Sequence, residues 1–190
     1  MADLSGNGPR VIALIDVPDL QWQVKRIGGT FGQDVTAVLE RLKAGVAKLT
    51  PAPEVSLPLG VVYVYSPLEA DRPSEAERVV FRQRATEVER KCWGCYKACT
   101  HCQAGLGGQG RDNPIANDLL ELAREDEYDW AVVVSTDLRL IPVVRYLQSH
   151  GRKIIHGCFP PVAMDLTKEC WASIDLHLPN QGLEEPSAGS

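Results

Sequence analysis

Aspartates follow two of the most apolar segments of the chain. Asp16 ends the run VIALID, which starts at Val11, and Asp137 closely follows the run WAVVV, which starts at Trp130. Short apolar runs rich in β-branched residues are typical of strands buried on both faces of a parallel sheet. The carboxyl ends of such strands share the edge at which open α/β sheets bind ligands. The pattern therefore predicts two carboxylates at one ligand-binding edge.

Two further aspartates accompany the helix that precedes the second of these strands. Asp112 lies just before the predicted start at Asn113 and Pro114, and Asp118 lies within the second turn. Four carboxylates at one edge would repel one another without a cation, and Mg²⁺ and Mn²⁺ prefer such oxygen ligands. These ions suit phosphodiester hydrolysis because they activate water and offset charge on the phosphate. The alternative is that Asp112 and Asp137 only cap helices.

Four of the six cysteines crowd into the segment CWGCYKACTHC. They are Cys92, Cys95, Cys99 and Cys102. Thiolate pairs separated by two residues are typical of zinc sites, so we expect a structural Zn²⁺, with an iron–sulfur cluster or free thiols as alternatives. The remaining cysteines, Cys158 and Cys170, are expected to pack as small apolar residues.

Apolar strands alternate with amphipathic helices along the chain. Further strands are predicted at 60–65, 152–159 and 172–178, and helices at about 34–49, 75–90, 113–124 and 138–150. Residues 17–32 are predicted to form a loop because they contain one proline and three glycines. The alternation predicts an α/β fold, a Rossmann-like three-layer sandwich with a mainly parallel five-stranded sheet.

Length and composition are those of one globular domain. The chain has 190 residues, 44% of them hydrophobic and 24% charged. We expect a cytoplasmic protein without a membrane segment, because no apolar run approaches the roughly 20 residues of a membrane helix and the N-terminus lacks a signal-peptide pattern. The domain is predicted at 8–179, with a cysteine-rich metal-binding insertion at 91–103. A tail rich in Pro, Gly, Ser and Glu at 180–190 is predicted to be disordered.

The net charge of −5 gives no overall attraction to nucleic acid, so RNA binding would need local basic clusters. Three clusters are candidates, each with a solvated surface as the alternative. They are Lys25 and Arg26; Arg82, Arg84, Arg90, Lys91 and Lys97; and Arg139, Arg145, Arg152 and Lys153.

Two segments resemble signatures of the NYN domain family, a PIN-like, LabA-like group of ribonuclease domains. The first is QGRDNPIANDLLELA at 109–123, and the second is WAVVVSTDLRLIPVVRYLQSHGRKI at 130–154. The segments VIALIDVPDL and WASIDLHL resemble the first and closing strands of the family. The positions that match in register include Gly110, Asp112, Ala116, Asp118, Ser135, Asp137, Pro142, Gly151 and Lys153.

The resemblance implies a metal-dependent endoribonuclease that acts on single-stranded or structured RNA, with a homodimer or a protein partner as further options. It implies that the catalytic ligands of Mg²⁺ or Mn²⁺ are Asp16, Asp112, Asp118 and Asp137. Candidates for substrate binding, directly or by supporting the site, are Asp19, Ser135, Arg139 and Lys97.

Several positions depart from the family pattern. Arg139 stands where the family has a second acid, Asp19 replaces an Asn, Val17 replaces a Gly, and Gln109 replaces a Lys. A catalytically weak or inactive NYN module that binds RNA or protein is therefore the alternative function. Another phosphate chemistry on a Rossmann-like fold is less favoured, because no Gly-x-Gly-x-x-Gly or P-loop element follows the first strand.

Overall fold

The structure, a computed structural model, describes residues 8–26, 35–50, 59–66, 79–83 and 113–177. Asp112, Lys97 and the cysteine segment at 92–102 lie outside these residues. The proposed zinc ligands and the tail at 180–190 therefore stay predictions.

Six strands of the described chain form one parallel sheet. They are β1 (Val11–Asp16), β2 (Leu59–Ser66), β3 (Val79–Gln83), β4 (Trp130–Val134), β5 (Lys153–Cys158) and β6 (Ala172–Asp175). Their order is β3-β2-β1-β4-β5-β6, and every neighbouring pair is parallel. The order reverses between β1 and β4, which is the switch point where such sheets bind ligands. The predicted α/β class is confirmed, with six strands instead of five.

Helices cover both faces of the sheet. They are α1 (Val17–Arg26), α2 (Val35–Leu49), α3 (Pro114–Arg124), α4 (Ile141–Ser149) and α5 (Met164–Glu169), with a 3₁₀ turn at Leu138–Leu140. Buried side chains of α1 and α2 pack with one face of the sheet. Those of α3, α4 and α5 pack with the other face. None of these helices is long and apolar enough to cross a membrane.

Two sequence predictions about local structure were wrong. Residues 17–26, predicted as loop, form α1, because Pro18 occupies the first turn, where its missing N–H is not needed, and Leu20 and Val24 are buried. Residues 79–83, predicted as helix, form β3, because Val79 and Val80 pair with β2. A short valine-rich segment is compatible with a helix or a strand, and here its pairing with β2 determines that it is a strand.

Gly157 of β5 lies where helix α2 packs closely on the sheet. A Cβ atom there would lie 2.9 Å from Leu42 Cδ2 and 3.0 Å from Val134 Cγ2, and both neighbours are fully buried. We expect Gly157→Val to lower the free energy of unfolding by about 2 kcal/mol, measured by urea denaturation, because the added side chain would overpack the core. Gly60→Val is the control, since Gly60 is exposed and, among the residues that the structure describes, a Cβ atom there would meet only Val11 O, at 3.5 Å. Equal losses in the two variants would contradict this account.

Candidate active site at the carboxyl edge of the sheet

Asp16 is the last residue of β1 and is only 4% exposed. It pairs in register with Tyr65 of β2, so the two side chains point to the same face of the sheet. That face carries the core cluster that includes Tyr65 and helix α3. Asp16 Oδ1 accepts a hydrogen bond of 3.3 Å from the backbone N–H of Asp19, in the first turn of α1. The strand end and the helix start are thereby tied together at the switch point.

Asp19 joins α1 to the segment that follows β4. Its Oδ2 accepts from Ser135 Oγ at 3.0 Å and from the backbone N–H of Thr136, and its Oδ1 accepts from Thr136 Oγ1 at 2.6 Å. Ser135 Oγ also accepts from the backbone N–H of Asp137 at 3.2 Å. Asp19 and Ser135 were expected to bind substrate or support the site. The contacts of Asp19 and Ser135 favour the supporting role, because both side chains bond the turn that carries Asp137.

Asp118 projects from α3 toward the ends of β2 and β3. Its Oδ2 accepts from Tyr65 Oη at 2.6 Å and pairs with Arg82 Nε at 3.2 Å. Burial, and then the hydrogen bond to Asp118, raises the pKa of Tyr65 above its usual value. The phenol therefore keeps its proton and donates a hydrogen bond to Asp118. Tyr65 thus fixes the direction of this carboxylate on the same face as Asp16.

Asp137 begins the 3₁₀ turn after β4 and is held by Arg139 and Asn113. Its Oδ1 caps the turn by accepting from the backbone N–H of Arg139 at 3.0 Å. Arg139 Nε lies 2.8 Å from Oδ1 and 2.9 Å from Oδ2, and Arg139 Nη2 also bonds Oδ2. Asn113 Nδ2 donates to Oδ2 at 2.9 Å. The capping alternative for Asp137 is therefore realised, alongside an ion pair.

Hydrogen bonds connect three of the four predicted aspartates to this edge. One path runs from Asp16 through Asp19 and Ser135 to Asp137, and Asn113 then links Asp137 to the start of α3. Within the ranges that the structure describes, no three His, Cys, Asp or Glu side chains are grouped so that they could hold a metal ion. Any metal site in the arrangement described would thus need further ligands or a change at Asp137.

His156 lies buried beneath the site in β5. Its Nε2 lies 2.9 Å from the carbonyl oxygen of Ser135, which can only accept, so Nε2 carries the proton. Its Nδ1 lies 2.8 Å from Thr167 Oγ1, whose one hydroxyl proton can be donated to the neutral ring or to the carbonyl oxygen of Ala163 at 3.2 Å. Burial lowers the pKa of His156, opposed by the hydrogen bond to Ser135 and the charge of Asp19. A neutral imidazole thus supports the backbone that carries Ser135.

The lowered pKa of His156 makes stability depend on pH. The unfolded chain binds a proton at His156 near pH 6.5, whereas the folded chain binds it only at lower pH. The contribution of neutral His156 to the stability of the folded chain is therefore fully present above about pH 6.5, and it is lost as the pH falls through the pKa of His156 in the folded chain. We expect the wild type to have a higher free energy of unfolding than His156→Gln, and we expect this difference to be larger at pH 8 than at pH 5. Urea denaturation at both pH values checks this, and a pH-independent difference would contradict it.

The third basic cluster is largely taken up by ion pairs. Arg139 bonds Asp137, Arg145 bonds Glu169 at 2.6 Å, and Arg152 bonds Asp126 at 2.7 Å. Lys153 stands over two tryptophan rings at the opposite, amino edge of the sheet, 4.0 Å from the centre of Trp171. These residues therefore do not form one open basic patch beside the aspartates.

The first basic cluster has a different setting. Lys25 and Arg26 end α1, and the Arg26 guanidinium lies 5.3 Å from the centre of the Trp22 ring. Trp22 is 47% exposed, and it shares one helix face with both cations. Gln23 Oε1 of α1 accepts a hydrogen bond of 3.4 Å from the backbone N–H of Phe159, which directly follows β5, so the part of α1 that carries Trp22 lies near the carboxyl edge.

Cys158 is buried against Thr167, as expected of a small apolar residue, and Cys170 is partly buried. Burial raises the pKa of Cys170 to about 12, so its thiol stays protonated at neutral pH. Neither thiol has the exposed thiolate character of a reactive cysteine.

Three residues of this edge were not predicted as site residues, namely Tyr65, Thr136 and His156, and Arg82 was predicted only as a member of a basic cluster. Tyr65 and His156 look like ordinary members of buried strands, since the contacts that distinguish them cross 53 and 21 positions. Asn113 was predicted as a helix cap, which its hydrogen bonds to Ile115 and Ala116 confirm, but not as a partner of Asp137.

Comparison with known proteins agrees with this architecture. A crystal structure of a protein of unknown function from Vibrio parahaemolyticus superposes with a TM-score of 0.55 at 13% sequence identity, covering 91% of this chain and 96% of that one. At this identity the likeness shows the fold alone. No curated protein matches the chain. The family model described as NYN domain matches residues 10–177, which include all the described strands and helices. The chain therefore belongs to the NYN domain family, whose fold is that of PIN-like nucleases.

Proposed function

We propose that the chain is a divalent-metal-dependent endoribonuclease whose site lies at the switch point between β1 and β4. The observation that carries the proposal is that aspartates from the end of β1, from α3 and from the turn after β4 lie along one edge of the sheet of an NYN domain. In open α/β sheets this edge is where ligands bind.

The residues that would hold the cation are Asp16, Asp118 and Asp137, together with Asp112. All supply carboxylate oxygens, which suit Mg²⁺ or Mn²⁺. Asp16 contributes a nearly buried carboxylate, and the cost of burying that charge falls when a cation neutralises it. Asp137 fits only in part, because Arg139 and Asn113 already bond its oxygens.

The bound cation would offset negative charge on the phosphodiester and lower the pKa of water. The side chains of this chain would do the positioning. Tyr65 aims Asp118, Asn113 aims Asp137, and Asp19 holds the turn after β4 against α1. The predicted Zn²⁺ at Cys92, Cys95, Cys99 and Cys102 would serve a structural role in this proposal.

Cleavage of labelled single-stranded RNA by the purified chain tests the proposed activity. We expect cleavage with Mn²⁺ or Mg²⁺, its loss with excess EDTA and its recovery when Mn²⁺ is restored. RNA that is retained but stays intact under all three conditions would refute the endoribonuclease.

A non-catalytic RNA-binding module is the second candidate, and the pairing of Arg139 with Asp137 favours it. The pair neutralises one of the aspartates, and Arg139 replaces an acid of the family pattern. The same assay separates the candidates, because this module would bind RNA without cutting it.

The exposed face of α1 is expected to contact the bases of single-stranded RNA. Stacking on an aromatic ring contributes about 1–3 kcal/mol per base, so Trp22→Ala should weaken binding about tenfold, measured by fluorescence anisotropy in EDTA. Trp171→Ala is a matched control, since Trp171 is 44% exposed and also lies beneath a cation, but at the amino edge. If both substitutions weaken RNA binding equally, or if neither weakens it, the result would argue against this role of α1.

A further inference from the structure

The Asp137 carboxylate has little capacity left for a cation. Arg139 donates to it through its backbone N–H and its guanidinium, and Asn113 donates at 2.9 Å. A carboxylate offers about four acceptor positions. A divalent ion can therefore bind Asp137 directly only if one of these donors leaves.

Of these donors, the Arg139 guanidinium is the most easily displaced. Asn113 is fixed because its Oδ1 accepts from the backbone of Ile115 at 2.9 Å, and the backbone N–H of Arg139 belongs to the 3₁₀ turn. The Arg139 side chain is 32% exposed and has a flexible stem, whereas Asp137 is 19% exposed. Loss of the guanidinium contact would leave the backbone cap of the turn in place.

We infer that Arg139 is a phosphate-binding residue held on Asp137 until RNA arrives, so that RNA phosphate and the divalent cation bind cooperatively. A guanidinium pairs with phosphate through the same two-pronged geometry that it uses with a carboxylate. When phosphate takes Arg139, Asp137 regains its negative charge and its acceptor positions. When Arg139 stays on Asp137, an approaching cation meets a neutral ion pair, and the positive guanidinium of that pair repels it.

Thermodynamic linkage between RNA binding and cation binding makes this exchange of Arg139 between Asp137 and phosphate measurable. If RNA increases the affinity for the cation by a given factor, the cation increases the affinity for RNA by the same factor. This inference rests on one part of the proposed function, because it assumes that Asp137 is a cation ligand and that RNA binds at this edge. It differs from a plain capping role for Arg139, in which RNA and metal affinities would not depend on the guanidinium.

The test measures Mn²⁺ affinity from the electron paramagnetic resonance signal of free Mn²⁺. Wild type and Arg139→Gln are titrated with and without a short 2′-O-methyl phosphorothioate RNA, after subtraction of Mn²⁺ bound by the RNA alone. Without RNA, we expect Arg139→Gln to bind Mn²⁺ about five- to tenfold more tightly than wild type, a common size for coupling between sites. With RNA, we expect the wild type to gain affinity and the difference to shrink.

Equal Mn²⁺ affinities of wild type and Arg139→Gln, with equal changes on adding RNA, would overturn the inference. A second measurement needs no folded variant: the ¹⁵N resonance of Arg139 Nε in the wild type should shift when the RNA binds, and an unchanged resonance would also overturn it.

The two proposals can fail separately. RNA cleavage without Arg139-dependent coupling would refute the inference alone. Coupling without cleavage would refute the endoribonuclease and leave the inference in place.

Discussion

Replacing Asp16 by Asn is expected to reduce RNA cleavage about a hundred- to thousandfold, the usual effect of removing one electrostatic group from a reaction site. The substitution removes a negative charge from the switch point, and with it an oxygen ligand of the proposed cation. It keeps the Oδ1 atom that accepts from the Asp19 N–H. Because Asn has nearly the same size and shape as Asp, the variant is expected to fold.

Initial cleavage rates and thermal unfolding of both proteins check this expectation. Glu40→Gln is the matched control, since it removes the same charge from an exposed side chain on α2. Cleavage that falls equally in the two variants would point to a general effect of charge. Cleavage that survives in Asp16→Asn would remove Asp16 from the site.

Replacing Asp19 by Ala is expected to lower the free energy of unfolding by about 3 kcal/mol. The carboxylate accepts from Ser135 Oγ and from two groups of Thr136, and hydrogen bonds to a charged group contribute about 1.5–3 kcal/mol each without being additive. Ser135 is fully buried, so its hydroxyl would lose this partner without gaining water. Urea denaturation gives the difference directly.

Two further variants separate this contact from a loss of charge. Asp19→Asn keeps one acceptor oxygen, so it should cost clearly less than Asp19→Ala. Asp165→Ala removes a carboxylate that is 72% exposed and pairs with Lys168, and its cost should stay below about 0.5 kcal/mol. A loss in Asp19→Ala as small as that in Asp165→Ala would show that Asp19 does not tie α1 to β4.

The fold could be predicted where a segment carries an unambiguous pattern. Residues 11–15 of β1 and all of β4 are apolar because the sheet is covered on both sides. The start of α3 could be predicted because Asn113 and Pro114 satisfy helix-start chemistry locally. The helix α1 and the strand β3 could not, because a first-turn proline resembles a loop signal and a short valine-rich segment suits either structure.

The positions of Asp16 and Asp137 at the carboxyl edge could be predicted from the sequence, but the partners of their carboxylates could not. Strand ends identify Asp16 and Asp137, since the common edge of a parallel sheet follows from topology alone. The partners that decide the chemistry depend on tertiary distances. The sequence placed Arg139 two residues from Asp137, but only the geometry of the 3₁₀ turn shows that its guanidinium folds back onto that carboxylate.

Direct binding of Mn²⁺ tests most closely whether these aspartates hold a cation. Titration by electron paramagnetic resonance, with the uncleavable RNA present, compares wild type with Asp16→Asn. The wild type should bind Mn²⁺ at least about tenfold more tightly than the variant, because even the loss of a residue that supports a metal ligand commonly costs that much. Equal affinities, or no Mn²⁺ bound by the wild type, would contradict a metal site at the end of β1.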